Sequence, residues 1–169
     1  MRRARVARPA RAARTVLLVQ VGAGPLVGAA WWAITHDPPG WLGGEPHLTR
    51  GSLDAARDGA LAVLGGLLGS AAALRVLRRP GTRPLRTLAA AVLGALLGAA
   101  LAVATAALLP AGVDGQRVLP RAWGVALSWP LLLVGVVFVR TFGESVAEWV
   151  QEGSRSRRAQ DELEAPRET

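Results

Sequence analysis

The chain has 169 residues, of which 51% are hydrophobic, and its formal net charge is +8. It contains no cysteine, which excludes disulfides, thiolate metal sites and cysteine nucleophiles. All 20 basic residues are arginines clustered at the edges of apolar blocks, an arrangement that orients membrane helices and does not form a surface for nucleic acid.

Four apolar blocks organise the chain. Each block reaches the length of a transmembrane helix, which needs about 20 residues to cross about 30 Å of hydrocarbon. The pattern therefore predicts an all-α membrane protein, a four-transmembrane-helix bundle within residues 15–140. The predicted spans cover about residues 15–35, 59–77, 87–109 and 122–139.

The first span follows a basic segment, residues 1–14, as it would in a secretory signal. The apolar stretch 16–34 is longer than the core of such a signal, and no convincing cleavage site follows it. The sequence therefore indicates an uncleaved span. Pro25 predicts a kink in this helix, and Gly24 and Gly28 form a GxxxG pair suited to helix packing.

Spans two and three contain an internal repeat, since residues 63–71 match residues 92–100 at seven of nine positions. Each copy has two glycines four residues apart, a spacing that lets helix backbones approach closely. We therefore expect spans two and three to pack together through these glycines. An inverted repeat of the kind found in some transporters is the alternative interpretation. The glycines are Gly65, Gly69, Gly94 and Gly98.

Polar residues inside and between the spans provide few candidate sites. Gln20 is the most polar residue within a span, and its isolation favours an interhelical hydrogen bond over a substrate ligand. The arginine-rich turn 78–86 sets topology and could also hold anionic headgroups. The loop 36–51 and the start of span two contain a loose group of histidines and carboxylates: His36, Asp37, Glu45, His47, Asp54 and Asp58.

The irregular spacing of this outer group favours solvated charge over a metal or catalytic site. Arg57 can pair with Asp54 or Asp58 at helical spacing. The sequence therefore predicts no catalytic residue, no metal ligand and no cofactor, and the protein is not expected to be an enzyme.

The last span contains Trp129-Pro130, which predicts a second kink. Beyond it, residues 141–152 predict an amphipathic helix whose acidic face disfavours anionic lipid. A partner protein or solvent is the expected neighbour of the apolar face. The charged segment 153–169 predicts disorder. The residues proposed to dock a partner are Phe142, Val146, Trp149 and Val150.

Orientation follows from the arginines, which are enriched in cytoplasmic segments. The N-terminal segment has six, the turn between spans two and three has five with Arg75 included, and the C-terminal segment has five, so sixteen of 20 lie on one side. This predicts cytoplasmic N- and C-termini. The tryptophans near the other ends of the spans, Trp31, Trp32, Trp41 and Trp123, agree with an outer interface there.

The order of features over residues 15–140 resembles a family of small actinobacterial four-helix membrane proteins of unknown function. The resembling features are the tryptophans and proline-rich loop after span one, Asp58-Gly59, the arginine-rich turn, a glycine-rich third span and Trp129-Pro130. The resemblance implies no activity. We expect a non-enzymatic accessory or scaffold protein of the bacterial inner membrane, with a membrane-protein partner or a second copy bound. The alternative is a small transporter or permease subunit, or a homo-oligomeric pore.

Overall fold

The computed structural model describes residues 9–36, 50–79, 83–111 and 117–164, and these ranges are helical apart from short connections. The α-helices are α1 (Pro9–Thr35), α2 (Arg50–Arg78), α3 (Pro84–Leu108) and α4 (Ser128–Glu164), with a 3-10 helix at Trp123–Leu127 directly before α4. The predicted all-α class is confirmed.

Four of these helices contain a stretch long and apolar enough to cross a membrane. Large apolar side chains such as Leu26, Leu67 and Phe138 are exposed on their outer surfaces. A water-soluble protein rarely exposes apolar surface on this scale, so the helices are compatible with a multi-pass membrane protein. The stretches are Ala13–Thr35, Leu53–Arg78, Pro84–Leu108 and Trp123–Ser154.

The helix ends follow local chemistry. α2 begins at Arg50, ahead of the predicted start at residue 59, and so includes the polar residues of its first turns. α3 begins at Pro84, where the missing N–H costs no helical hydrogen bond, and it ends before Pro110.

The two prolines that predict helix kinks occupy different positions in their helices. α1 continues through Pro25 as one helix. At Trp129-Pro130, the sequence predicts a kink within a span, whereas the structure changes from 3-10 to α helix at Ser128. Pro130 then lies in the first turn of α4, where N–H groups have no intrahelical partner to lose.

α4 extends into the charged C-terminal segment. The helix runs to Glu164, and the disorder expected from Gly153 onward stays a prediction. The charged segment lacks the apolar residues needed for packing, yet it consists largely of Arg, Ala, Gln, Glu and Leu, which are strong helix formers. Propensity therefore extends the helix where no tertiary contact is required.

Small residues of α3 and two large rings form the interior. The buried face of α3 contains five alanines spaced by three or four residues, Ala91, Ala95, Ala99, Ala102 and Ala106. Trp31 of α1 and Trp129 of α4 are fully buried. Small residues on α3 leave the volume that the Trp129 ring fills beside Gly98.

Candidate functional site

α1 packs mainly against α3, and glycines on both helices form the contact. A β-carbon added at Gly24 would collide with the backbone oxygen of Gly98, and one added at Gly28 with that of Ala102. Gly94 lies against the backbone of α1 in the same interface. The two backbones therefore touch directly, as small residues four apart allow.

α2 packs mainly against α4. A β-carbon added at Gly69 would collide with the backbone oxygen of Trp129, and one at Gly65 would lie 2.6 Å from Oγ of Ser128. This corrects the predicted pairing of spans two and three, which touch each other little. The repeated sequence supplies the same packing surface twice, once for α4 and once for α1.

Trp129 connects the two helix pairs. Its backbone lies against α2, and its ring reaches α3, where a β-carbon added at Gly98 would lie 3.0 Å from the ring carbon Cη2. The indole Nε1 and Oγ of Ser128 are buried without a hydrogen-bond partner among the described residues. The sequence indicated a kink at Trp129 but not its contacts, because nothing in its neighbours along the chain reveals them.

A buried carboxylate joins α2 to the segment before α4. Asp58 is only 9% exposed. Its Oδ1 accepts a hydrogen bond from the backbone N–H of Arg121 (3.1 Å), and its Oδ2 accepts one from that of Ala122 (2.9 Å). Ala122 is the residue before the 3-10 helix. Asp58 therefore fixes the entry into the last span through two backbone donors.

Further hydrogen bonds surround this carboxylate. Asp54 forms an ion pair with Nη1 of Arg121 (2.6 Å). Trp31 donates from Nε1 to the backbone oxygen of Arg57 (2.8 Å), and Arg57 donates from Nε to the backbone oxygen of Thr35 (3.3 Å). The end of α1, the start of α2 and the start of the last span are thus connected by polar contacts.

The outer histidine and carboxylate group is only partly described. His36 stacks on Trp32 with 4.1 Å between ring centroids, while Asp37, Glu45 and His47 lie outside the described residues. Trp32 also donates from Nε1 to the backbone oxygen of Pro110 (2.9 Å), beyond the end of α3. Over the described ranges, no three His, Asp or Glu side chains are placed to hold a metal ion.

Gln20 lies in the cleft between α1 and α2. It is only 5% exposed, and no hydrogen bond joins its amide to any other residue in the described part of the chain. Gln20 lines a cavity of about 300 Å³. The predicted interhelical hydrogen bond is therefore not formed within the described part of the chain.

The side chains proposed to dock a partner are exposed, with Trp149 at 76%. Every residue from 138 to 154 is exposed, including Phe142, Val146 and Val150. Arg140 pairs with Glu144 one turn later (2.6 Å), which supports the helix locally. α4 thus leaves the bundle with its apolar side chains uncovered by this chain's described residues.

Comparison with protein-family models, with curated proteins and with solved structures finds no match to this chain. The resemblance to small actinobacterial membrane proteins therefore stays a prediction from the sequence.

Proposed function

We propose that this chain is a non-enzymatic scaffold protein of a bacterial inner membrane, with both termini in the cytoplasm. Its bundle anchors the last helix, and the cytoplasmic part of that helix binds a partner membrane protein. The observation that supports this role is the unbroken course of α4 from the buried Trp129 to the exposed Trp149. A partner bound to this helix would be held at a fixed position relative to the membrane.

The arginine distribution supports the orientation, because sixteen of the 20 arginines belong to the N-terminal segment, the turn after α2 and the C-terminal segment. Four consecutive spans cross a membrane in alternating directions, so the proposed topology requires these three segments to share one side. The polar contacts of Asp58 and Trp31 lie at the other end, which would face outward.

Single cysteines can test this topology, since the chain contains none of its own. We expect Ala111→Cys to react with a membrane-impermeant maleimide in intact cells. Ser154→Cys should react only after the membrane is disrupted. Both positions are exposed, so burial does not limit either reaction. The reverse pattern would place the termini outside and remove the proposed orientation.

The docking face should depend on Trp149. We expect Trp149→Glu to reduce recovery of the partner at least tenfold, because buried tryptophans dominate interface energies and each 1.4 kcal/mol is about tenfold in affinity. The measurement is purification of the tagged full chain from native membranes in mild detergent, with quantitation of the protein that accompanies it in fixed ratio.

The matched control is Gln151→Glu, which adds the same charge on the acidic side of the same exposed helix. It should leave the complex intact. Equal recovery with both variants would refute docking through this face. A homo-oligomer with no other protein would favour the pore or transporter alternative, which flux measurements in liposomes would then examine.

A further inference from the structure

We infer that the cleft between α1 and α2 binds one anionic phospholipid, with an acyl chain between the helices and the phosphate at Arg75. This site is separate from the exposed part of α4, so it stands independently of the proposed partner. The inference rests on two adjoining cavities, one apolar and one cationic, and on the buried residue Gln20 in the lining of the apolar one.

The apolar cavity arises from the way the helices pair. Because α1 packs on α3 and α2 packs on α4, the neighbouring faces of α1 and α2 stay apart and leave a partly open cleft of about 300 Å³. This is about ten times the volume that one water molecule occupies in the liquid. Each helix contributes a stripe at positions i, i+3, i+4 and i+7. The lining residues are Val16, Val19, Gln20, Ala23, Leu68, Ala71, Ala72 and Arg75.

The cationic cavity adjoins the apolar one. It is a partly open cavity of about 390 Å³ and shares Ala71 and Arg75 with the first cavity. Arg78 and Arg79 complete its polar lining, and among the described residues no carboxylate lines either cavity. Three guanidinium groups next to an apolar cleft complement a phosphate attached to a hydrocarbon chain.

The depth of each group also fits a phospholipid. Arg75 lies within one turn of the end of α2, at the level where arginine side chains reach lipid headgroups. Val16 is the α1 lining residue nearest the same membrane face, and Gln20 lies about 6 Å deeper along the helix. An ester carbonyl lies below the phosphate in a phospholipid, and the Gln20 amide can donate a hydrogen bond to it.

A generic basic surface would explain the arginines without the cleft. On that explanation every arginine of the turn contributes equally to lipid binding, whereas the proposed site requires Arg75 in particular. It also gives no role to Ala71, which is exposed, lines both cavities and leaves room for a ligand. Variants at these two positions therefore separate the two explanations.

The test is native mass spectrometry of the full chain in mild detergent with added phosphatidylglycerol or phosphatidylcholine of identical acyl chains. We expect phosphatidylglycerol to bind at one site and phosphatidylcholine to bind at least about tenfold more weakly, because only the former is anionic. Excess glycerol phosphate should not displace the lipid. Displacement, or equal binding of both lipids, would overturn the proposal.

Two pairs of variants complete the experiment. Arg75→Gln should weaken phosphatidylglycerol binding about tenfold or more, since it removes a charge-assisted hydrogen bond. The control is Arg86→Gln, which removes the same charge outside the cavities and should have little effect on binding. Ala71→Leu should block the cleft, and the exposed Ala55→Leu on the same helix should not. Equal effects within either pair would overturn the site, provided that helical content and thermal stability match wild type.

Discussion

Gly98→Leu is expected to lower the free energy of unfolding by about 3 kcal/mol, at the upper end of the range for overpacked interiors. A β-carbon at this position would lie 2.6 Å from the backbone oxygen of Gln20 on α1 and 3.0 Å from the ring of Trp129 on α4. The α1 backbone cannot yield without moving the whole helix. The substitution should therefore disturb both the α1–α3 contact and the junction with α4.

The measurement is thermal unfolding in mild detergent, followed by far-ultraviolet circular dichroism. A loss of about 3 kcal/mol corresponds to a midpoint roughly 6 to 12 °C lower for a chain of this size. Gly22→Leu is the control, because Gly22 is exposed and a β-carbon there meets nothing within 4 Å. If Gly98→Leu and Gly22→Leu unfold at the same midpoint temperature, the helices do not approach each other as described.

Asp58→Ala is expected to cost about 3 kcal/mol, because hydrogen bonds to a charged group contribute about 1.5–3 kcal/mol each and the substitution removes two of them. Asp58 accepts from the backbone N–H groups of Arg121 and Ala122 at once. Asp58→Asn should recover only part of the loss. Its amide can accept at one oxygen, and its NH₂ group would face the other backbone donor.

The control for this prediction is Asp54→Ala on the same helix. Asp54 pairs with the side chain of Arg121, which is 73% exposed, so the pair should contribute less than about 1 kcal/mol. Unfolding of the three variants would be compared in the same detergent. Equal destabilisation by Asp54→Ala and Asp58→Ala would mean that the carboxylate at 58 does not hold the entry into the last span.

The glycines were predictable from the sequence as packing positions, but the helix that each one contacts was not. Spacing alone indicated Gly24, Gly28, Gly65, Gly69, Gly94 and Gly98 as packing positions, and the structure places each of them against a neighbouring helix. The choice of neighbour was not predictable from the repeat. Both copies present almost the same surface, so either could accept any helix with a compatible ridge. α1 and α4 provide those ridges, and their relative position depends on the whole bundle.

The polar contacts of Asp58 and Trp31 could not be predicted from the sequence. Asp58 was noted as one of a loose group of charges, with the adjacent Arg57 as a predicted partner. Its observed partners are backbone N–H groups 63 and 64 positions away. Backbone donors carry no residue-type signal, so composition and spacing cannot reveal such a pair. Trp31 was similarly interpreted as a marker of the interface, although its ring is buried and donates to α2.

The four apolar helices, the helical class and the small-residue faces are predictable from the sequence, because each of these depends on local length, hydropathy and spacing. The pairing of the helices, the cleft of α1 and α2 beside Arg75 and the contact of Asp58 with the start of the last helix appear only in three dimensions. Lipid is as apolar as the helix surfaces, so hydrophobic burial does not choose among partners. Close backbone contact and a few long-range hydrogen bonds make that choice, and both depend on shape in three dimensions.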